Sequence, residues 1–178
     1  MIFDLPTLVF IREYIQNPIF NILMPLFSFI GEYGMIWILI GGALICGKKS
    51  RPYGIMLLIA ISVSYVLGEV MLKNIVCRVR PCNVFTDVSM IVKRPDSFSF
   101  PSGHSSSSFC ASTILLLYDK RIGIPALGLA GCIAFSRLYL FVHYPTDVLA
   151  GILLGISCAL LTYVVYKKFF WKDKNSLV

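Results

Sequence analysis

The sequence predicts an all-α, polytopic membrane helix bundle, and three observations predict it. The chain of 178 residues is 57% hydrophobic and 14% charged, with a mean hydropathy of +0.80, a balance foreign to soluble domains. Its apolar residues fall in runs that approach the thickness of a bilayer, where backbone polar groups must be satisfied within each segment. Its cations gather at the ends of those runs. Nine of the 16 Lys and Arg lie in three clusters, Lys48/Lys49/Arg51, Lys120/Arg121 and Lys167/Lys168/Lys172/Lys174. Such clusters mark cytoplasmic flanks. By length the chain is one integral-membrane domain, 1–178, comprising N-terminal helices (1–30), a core (31–170) and a cytoplasmic tail (171–178).

Residues 3–16 read as an amphipathic helix with Arg12 and Glu13 on its polar side, broken by Asn17-Pro18. The apolar run 19–30 is short for a span, so residues 3–30 are expected to lie bent in the interface, or else to form a sixth, broken span. Five spans are expected beyond it. They are 32–46, closed by Gly47-Lys48-Lys49, then 53–72, 103–118, 122–141 with Pro125 in its first turn, and 145–170. Asp4, Arg12 and Glu13 do not suit a cleaved leader.

The connections 47–52 and 119–121 are short and basic, hence cytoplasmic. Span parity then brings the loop 73–102 and the turn 140–144 together at the outer end. Arg78, Lys93 and Arg94 are outer positives against the charge rule, and that loop is where an anionic headgroup would meet them. The net charge of +7 reflects topology, so no nucleic-acid partner is expected. The six cysteines show no zinc spacing. Four fall in apolar runs, while Cys77 and Cys82 share a loop and have the option of pairing.

Both histidines sit in short polar islands at the outer end. Tyr144-Pro145-Thr146-Asp147 is a helix start with Pro145 at the first helical position. It places the Asp147 carboxylate within reach of His143, to fix the imidazole tautomer and leave its other nitrogen nucleophilic. In Pro101-Ser102-Gly103-His104, Ser102 is a natural N-cap and Gly103 permits close backbone approach. The free N–H groups of that helix start suit an anion, and His104 beside it suits proton donation to a leaving oxygen. Lys73, Arg80 and Arg137 supply positive charge for three equatorial phosphoryl oxygens. Glu69, one turn before Lys73, pairs with the lysine and aims it. Ser105–Ser108 and Ser112 read as small-residue helix packing. No cluster has metal-ligand character, so neither metal nor cofactor is expected.

Lys73-x6-Arg80-Pro81, Pro101-Ser102-Gly103-His104 and Ser136-Arg137-x5-His143-x3-Asp147 resemble the three-part signature of the type 2 phosphatidic acid phosphatase superfamily. The resemblance covers roughly residues 30–168. It implies a membrane bundle acting on a lipid phosphate in the bilayer by a metal-independent, two-step mechanism. By that likeness His143 is the nucleophile oriented by Asp147, and His104 is the acid and then the base. Lys73, Arg80, Ser102, Gly103 and Arg137 bind phosphate. The small size and outward site look most like bacterial undecaprenyl-pyrophosphate phosphatases, some of which carry Asp where this chain has Gly103. Phosphatidylglycerophosphate and phosphatidate remain open as substrates. A vanadium haloperoxidase is disfavoured by the apolar spans, and a lipid carrier has no use for the His–Asp pair.

Overall fold

The computed structural model describes residues 3–171, and every regular element in that range is helical. The end of the chain from 172 on, with Lys172 and Lys174, lies outside the described residues. Helix α1 (Asp4–Phe10) runs on through a wide turn, Ile11–Ile15. Asn17 then caps α2 (Pro18–Ile30), its side chain accepting from the Phe20 amide at 3.0 Å. Pro18 fills the first helical position, where a missing N–H costs nothing. A short kink, with Tyr33 and Gly34 at positive φ, leads into α3 (Met35–Cys46). Helix α4 (Arg51–Tyr65) widens through Val66–Leu72 into α5 (Lys73–Val76), and α6 (Pro81–Val84) comes next. After a long loop come α7 (Gly103–Tyr118), α8 (Lys120–Tyr139) and α9 (Pro145–Tyr166).

Among the described residues, three stretches are long and apolar enough to cross a membrane: Arg51–Val84, Lys120–Tyr139 and Pro145–Phe169. Pro18–Ile30 and Glu32–Cys46 pass the same test together but are bent by 43°, which raises the number to four. The sequence expects five. The run 32–46 yields only the 12 residues of α3, and α7 is 16 residues long with serines along much of its length. Pro125 also lies deeper than expected, because α8 begins at Lys120 on an Asp119 cap.

Helix α7 is the central post, packed against α4, α8 and α9. Half of its residues are buried, and many are small: Ser105, Ser106, Ser108, Cys110, Ala111 and Ser112. Small side chains let backbones approach, and Gly151 and Gly155 of α9 face the Ser102 and Ser106 carbonyls directly. The serine run is therefore a packing face, with Ser108 Oγ also accepting from Trp37 Nε1 at 3.0 Å. The main core gathers Trp37, Met56, Leu57, Ile114, Leu115 and Ile133. A second cluster, including Leu8, Met24, Cys82 and Phe141, joins the N-terminal helices to the site loops.

All three site islands lie at one end of the bundle, and Lys48, Lys49, Lys120 and Arg121 lie at the other end of the same helices. The N-terminal helices do more than rest on an interface, since α2 packs along α8 and α1 reaches α9. Cys77 and Cys82 are both free thiols; Cys77 is exposed and Cys82 is fully buried.

Candidate active site

The widened turn Val66–Leu72 presents Glu69 and then Lys73 at the outer end of the second long helix. Such π-type turns rotate the succeeding residues about the helix axis and recur at functional sites. Lys73 Nζ sits between both Glu69 oxygens, at 2.7 and 2.6 Å. The same carboxylate lies over the start of α7, where a Cβ on Gly103 would collide with Glu69 Oε1. A side chain at 103 would therefore have to displace the end of the Glu69 side chain.

Ser102 caps α7, its hydroxyl accepting from the Ser105 amide at 3.4 Å and the Ser105 hydroxyl at 3.0 Å. Its own amide donates to the Asp147 carbonyl at 3.0 Å, which ties the anion loop to the start of α9. That start is a reciprocal cap: Asp147 Oδ2 accepts from the Tyr144 amide at 2.9 Å. His104, in the first turn of α7, lies 3.2 Å through Nε2 from the Ser28 carbonyl.

Four groups of the site are nearly removed from solvent: His143 at 2%, Asp147 at 0%, Arg80 at 4% and Arg137 at 7% exposure. Arg80 is held by the loop, Nε donating to Ser97 O at 2.7 Å and Nη2 to Ser97 Oγ at 2.9 Å. Its Nη1 reaches the Val142 carbonyl and His143 Nε2, both at 2.9 Å. A guanidinium only donates, so Nε2 is the acceptor and the ring proton belongs on Nδ1. Nδ1 makes no full hydrogen bond; Asp147 Oδ2 lies 3.6 Å from it, and the Ser99 backbone also faces the ring. Burial, reinforced by Arg80, Arg137 and Lys73, pushes the His143 imidazole well below the ordinary histidine range. The ring is therefore neutral at pH 7 with its Nε2 lone pair available.

Arg137, on the last turn of α8, donates through Nη1 to the Ser28 hydroxyl, and its buried Nε has no hydrogen-bond partner. Lys73 is compensated by Glu69. Arg80 and Arg137 have no carboxylate partner among the described residues. Glu69 and Asp147 act on Arg80, and Glu32 on Arg137, only from beyond salt-bridge distance, so two buried guanidinium groups leave room, electrostatically, for an anion.

Every residue singled out in the sequence is thus brought to one end of the bundle, around Arg80 and His143. The structure also adds residues that the sequence did not reveal. Ser97 anchors Arg80, and Ser28 touches both His104 and Arg137. Arg78, expected to face a headgroup, turns inward: Nη1 donates to Asp147 Oδ1 at 2.6 Å and Nη2 to Asp4 Oδ2 at 2.8 Å. Asp4, read as part of an interfacial helix, is buried. The available signals were a lone acid in an apolar N-terminal run and a cation that broke the charge rule.

Such an end of a helical membrane bundle suits the capture of an anion beside a neutral imidazole. Comparison with known proteins gives that class a family. The chain belongs to the PAP2 superfamily, whose family model matches residues 52–171. It is 37% identical over 133 residues to an undecaprenyl-diphosphatase of Sulfolobus acidocaldarius, covering 73% of this chain and 64% of that one. The match thus spans just under two thirds of that relative. Among solved structures it resembles Aquifex aeolicus LpxE, with a TM-score of 0.77 and 26% identity over 90% of this chain and 94% of that one. It also resembles a transmembrane PAP2-type phosphatidylglycerolphosphate phosphatase from Bacillus subtilis, with a TM-score of 0.72 and 27% identity over 94% of each chain.

Proposed function

We propose that this chain is a single-domain membrane lipid phosphatase that works without a metal through a phosphohistidine. The observation that carries the reading is the pair of buried guanidinium groups of Arg80 and Arg137, neither in a direct ion pair among the described residues, beside His143 and His104. Imidazoles ringed by guanidinium groups repel a metal cation and favour a phosphoryl group.

The steps follow from the geometry. A terminal phosphoryl group takes the Arg80 Nη1 donor away from His143 Nε2 and exposes the lone pair. Lys73, Arg80, Arg137 and the amides after Ser102 hold its oxygens. Nε2 attacks phosphorus, the bond to the leaving oxygen breaks, and His104, protonated on both ring nitrogens once the phosphate anion is bound, gives that oxygen a proton and is left neutral. Asp147 stabilises the positive charge that develops on the His143 ring. Water, deprotonated by His104, then attacks the phosphohistidine; the N–P bond breaks and inorganic phosphate leaves.

Undecaprenyl pyrophosphate is the proposed substrate, supported by the Sulfolobus relative. Phosphatidylglycerophosphate is the second reading, supported by the Bacillus structure whose fold matches nearly end to end. The proposed topology has five spans, counting the bent α2–α3 pair and α7 alongside the three long stretches. The basic clusters then face the cytoplasm and the site opens at the outer leaflet.

The test is phosphate release by the purified full chain in detergent, on undecaprenyl pyrophosphate, phosphatidylglycerophosphate and phosphatidate, with and without EDTA. Release that persists in EDTA and is fastest on the isoprenoid is expected. No release, or release lost in EDTA and restored by a divalent ion, rejects the reading. An impermeant thiol reagent added outside cells reads the sidedness at exposed Cys77.

Glu69 holds Lys73 charged and aimed, so Glu69→Gln is expected to lower turnover by about tenfold with the fold intact. Unchanged turnover with a lower melting temperature would reduce Glu69 to packing.

A further inference from the structure

The Asp147 carboxylate is not free to serve His143 alone. One oxygen, Oδ1, accepts from Arg78 Nη1 at 2.6 Å; the other, Oδ2, accepts from the Tyr144 amide and lies 3.6 Å from His143 Nδ1. Arg78 is itself fixed on several sides. Its Nη2 donates to Asp4 Oδ2 at 2.8 Å, its Nη1 donates also to Thr146 Oγ1 at 2.6 Å, and its guanidinium lies 3.9 Å above the Tyr144 ring. Asp4 closes the ring of contacts. Its Oδ1 accepts from the Thr146 amide at 3.0 Å and its Oδ2 from the Thr146 hydroxyl at 2.9 Å. The network spans residues 4, 78 and 144–147, and Asp4 and Asp147 are buried.

We infer that Arg78 is a positioning residue for the nucleophile and that Asp4 is its anchor: together they set the rotamer of Asp147 that keeps Oδ2 in front of His143 Nδ1. The contacts of Arg78 and Asp4 described above are with Asp147, Thr146, Tyr144 and each other. A carboxylate held at one oxygen by Arg78 Nη1 and at the other by the Tyr144 amide has one orientation. Released from Arg78, Oδ1 becomes an unsatisfied buried acceptor, and the group turns to find another donor. Arg80 at Nε2 already places the ring proton on Nδ1, and the carboxylate in front of Nδ1 faces that proton and the positive charge that develops on the ring. Helix α1 accordingly belongs to the catalytic unit through a single side chain, more than a hundred residues away in sequence from the loop it steadies.

The inference rests on the reading of His143 as nucleophile, and the experiment separates the two. The unaltered full chain, Arg78→Gln, Arg78→Lys, Asp4→Asn and the double variant Asp4→Asn/Arg78→Gln are compared in detergent. Turnover and vanadate inhibition are measured together with the nitrogen NMR signals of the histidine rings. The chain has two histidines, so labelled imidazole gives two sets of signals, told apart with His104→Gln.

Arg78→Gln is expected to lower kcat by about tenfold or more while the vanadate inhibition constant stays within about twofold. Arg78→Lys, which cannot bridge two carboxylates with one fork, falls between. The double variant is expected to be no worse than Arg78→Gln alone. His143 is expected to keep its Nδ1–H tautomer in both proteins, because Arg80 still donates to Nε2, but its Nδ1 signal is expected to shift in Arg78→Gln as Oδ2 leaves its place. An unchanged Nδ1 signal in Arg78→Gln overturns the inference. So does vanadate inhibition that weakens in step with kcat, which would make Arg78 a phosphate ligand. If the unaltered chain releases no phosphate, the functional reading fails, while the comparison of Nδ1 signals still decides the clamp.

Discussion

His143→Ala is expected to abolish phosphate release, by at least about a thousandfold, with the fold retained. The expectation comes from the surroundings of the ring. It is buried at the meeting point of Arg80 and Asp147, and its Nε2 carries a lone pair already directed at a cation. In the proposed mechanism nothing else in the site replaces it: Ser102 has its hydroxyl engaged by Ser105, and the remaining charged groups are cations or carboxylates without a route to phosphorus. His104→Ala should behave differently. With a substrate whose leaving oxygen needs no proton, the first step survives and the phosphoenzyme accumulates because its hydrolysis lacks a base. Radiolabelled phosphate retained on the protein, acid-labile as expected of a phosphohistidine, is the readout. A His143→Ala protein that keeps a tenth of parental turnover, or a phosphoenzyme that forms without His143, removes the covalent route.

The second large effect is expected from a single methyl group. A Cβ at Gly151 would stand 2.5 Å from the Ser102 carbonyl oxygen and 3.1 Å from Ser105 Cβ. The obstacle is backbone, so no rotamer change relieves it, and α9 must move away from α7. Overpacking of this kind costs about 1–3 kcal/mol. The functional loss should be larger than the loss of stability. Ser102 donates to the Asp147 carbonyl, so parting the helices moves the anion loop relative to His143. A misplacement of about 1 Å in a reacting geometry is worth about a hundredfold. Gly151→Ala is therefore expected to melt earlier and turn over at about a hundredth of the parental rate. Gly131→Ala, where a Cβ meets open space, is the control and should do neither. A Gly151→Ala protein with parental melting and parental turnover would show that α7 and α9 can slide without consequence.

Much of this arrangement was legible because its parts are short-range. Pro145 and Asp147 announce a helix start, Ser102 a cap, and Glu69 with Lys73 one helix face. Each signal needs only a few residues, and each appears in the structure where local chemistry places it. The illegible parts join distant positions. Ser28 is one hydroxyl in an apolar helix and has no period to reveal that it meets Arg137 and His104. Asp4 meets Thr146 across 142 residues. The widening over Val66–Leu72 is absent from the sequence pattern, which reads as ordinary helix there. It is tertiary packing, with Gly68 buried and Glu69 over Gly103, that accommodates the extra residue. Spans were harder to read than helix starts and caps. The bend between α2 and α3 divides apolar length between two helices, and burial in the bundle makes α7 shorter and more polar than a lipid-facing span.

The turn between α7 and α8 is one residue long. Asp119 ends the first helix with its amide on the Leu115 carbonyl and starts the second by accepting from the Arg121 amide at 2.8 Å. Just past it Gly123 lies against the Leu116 backbone, so the two helices are clasped from their first turn. His104 and Arg137 sit at the far tips of this clasp. The contacts between the two helices are close in sequence, local enough to form early. In the proposed mechanism the proton donor and one phosphate-binding arm would then face each other before the turn bearing His143 is fixed by the packing of α9. Assembly would thus run in the order of the chain: an anion cradle first, and reactivity only when α9 docks and closes it.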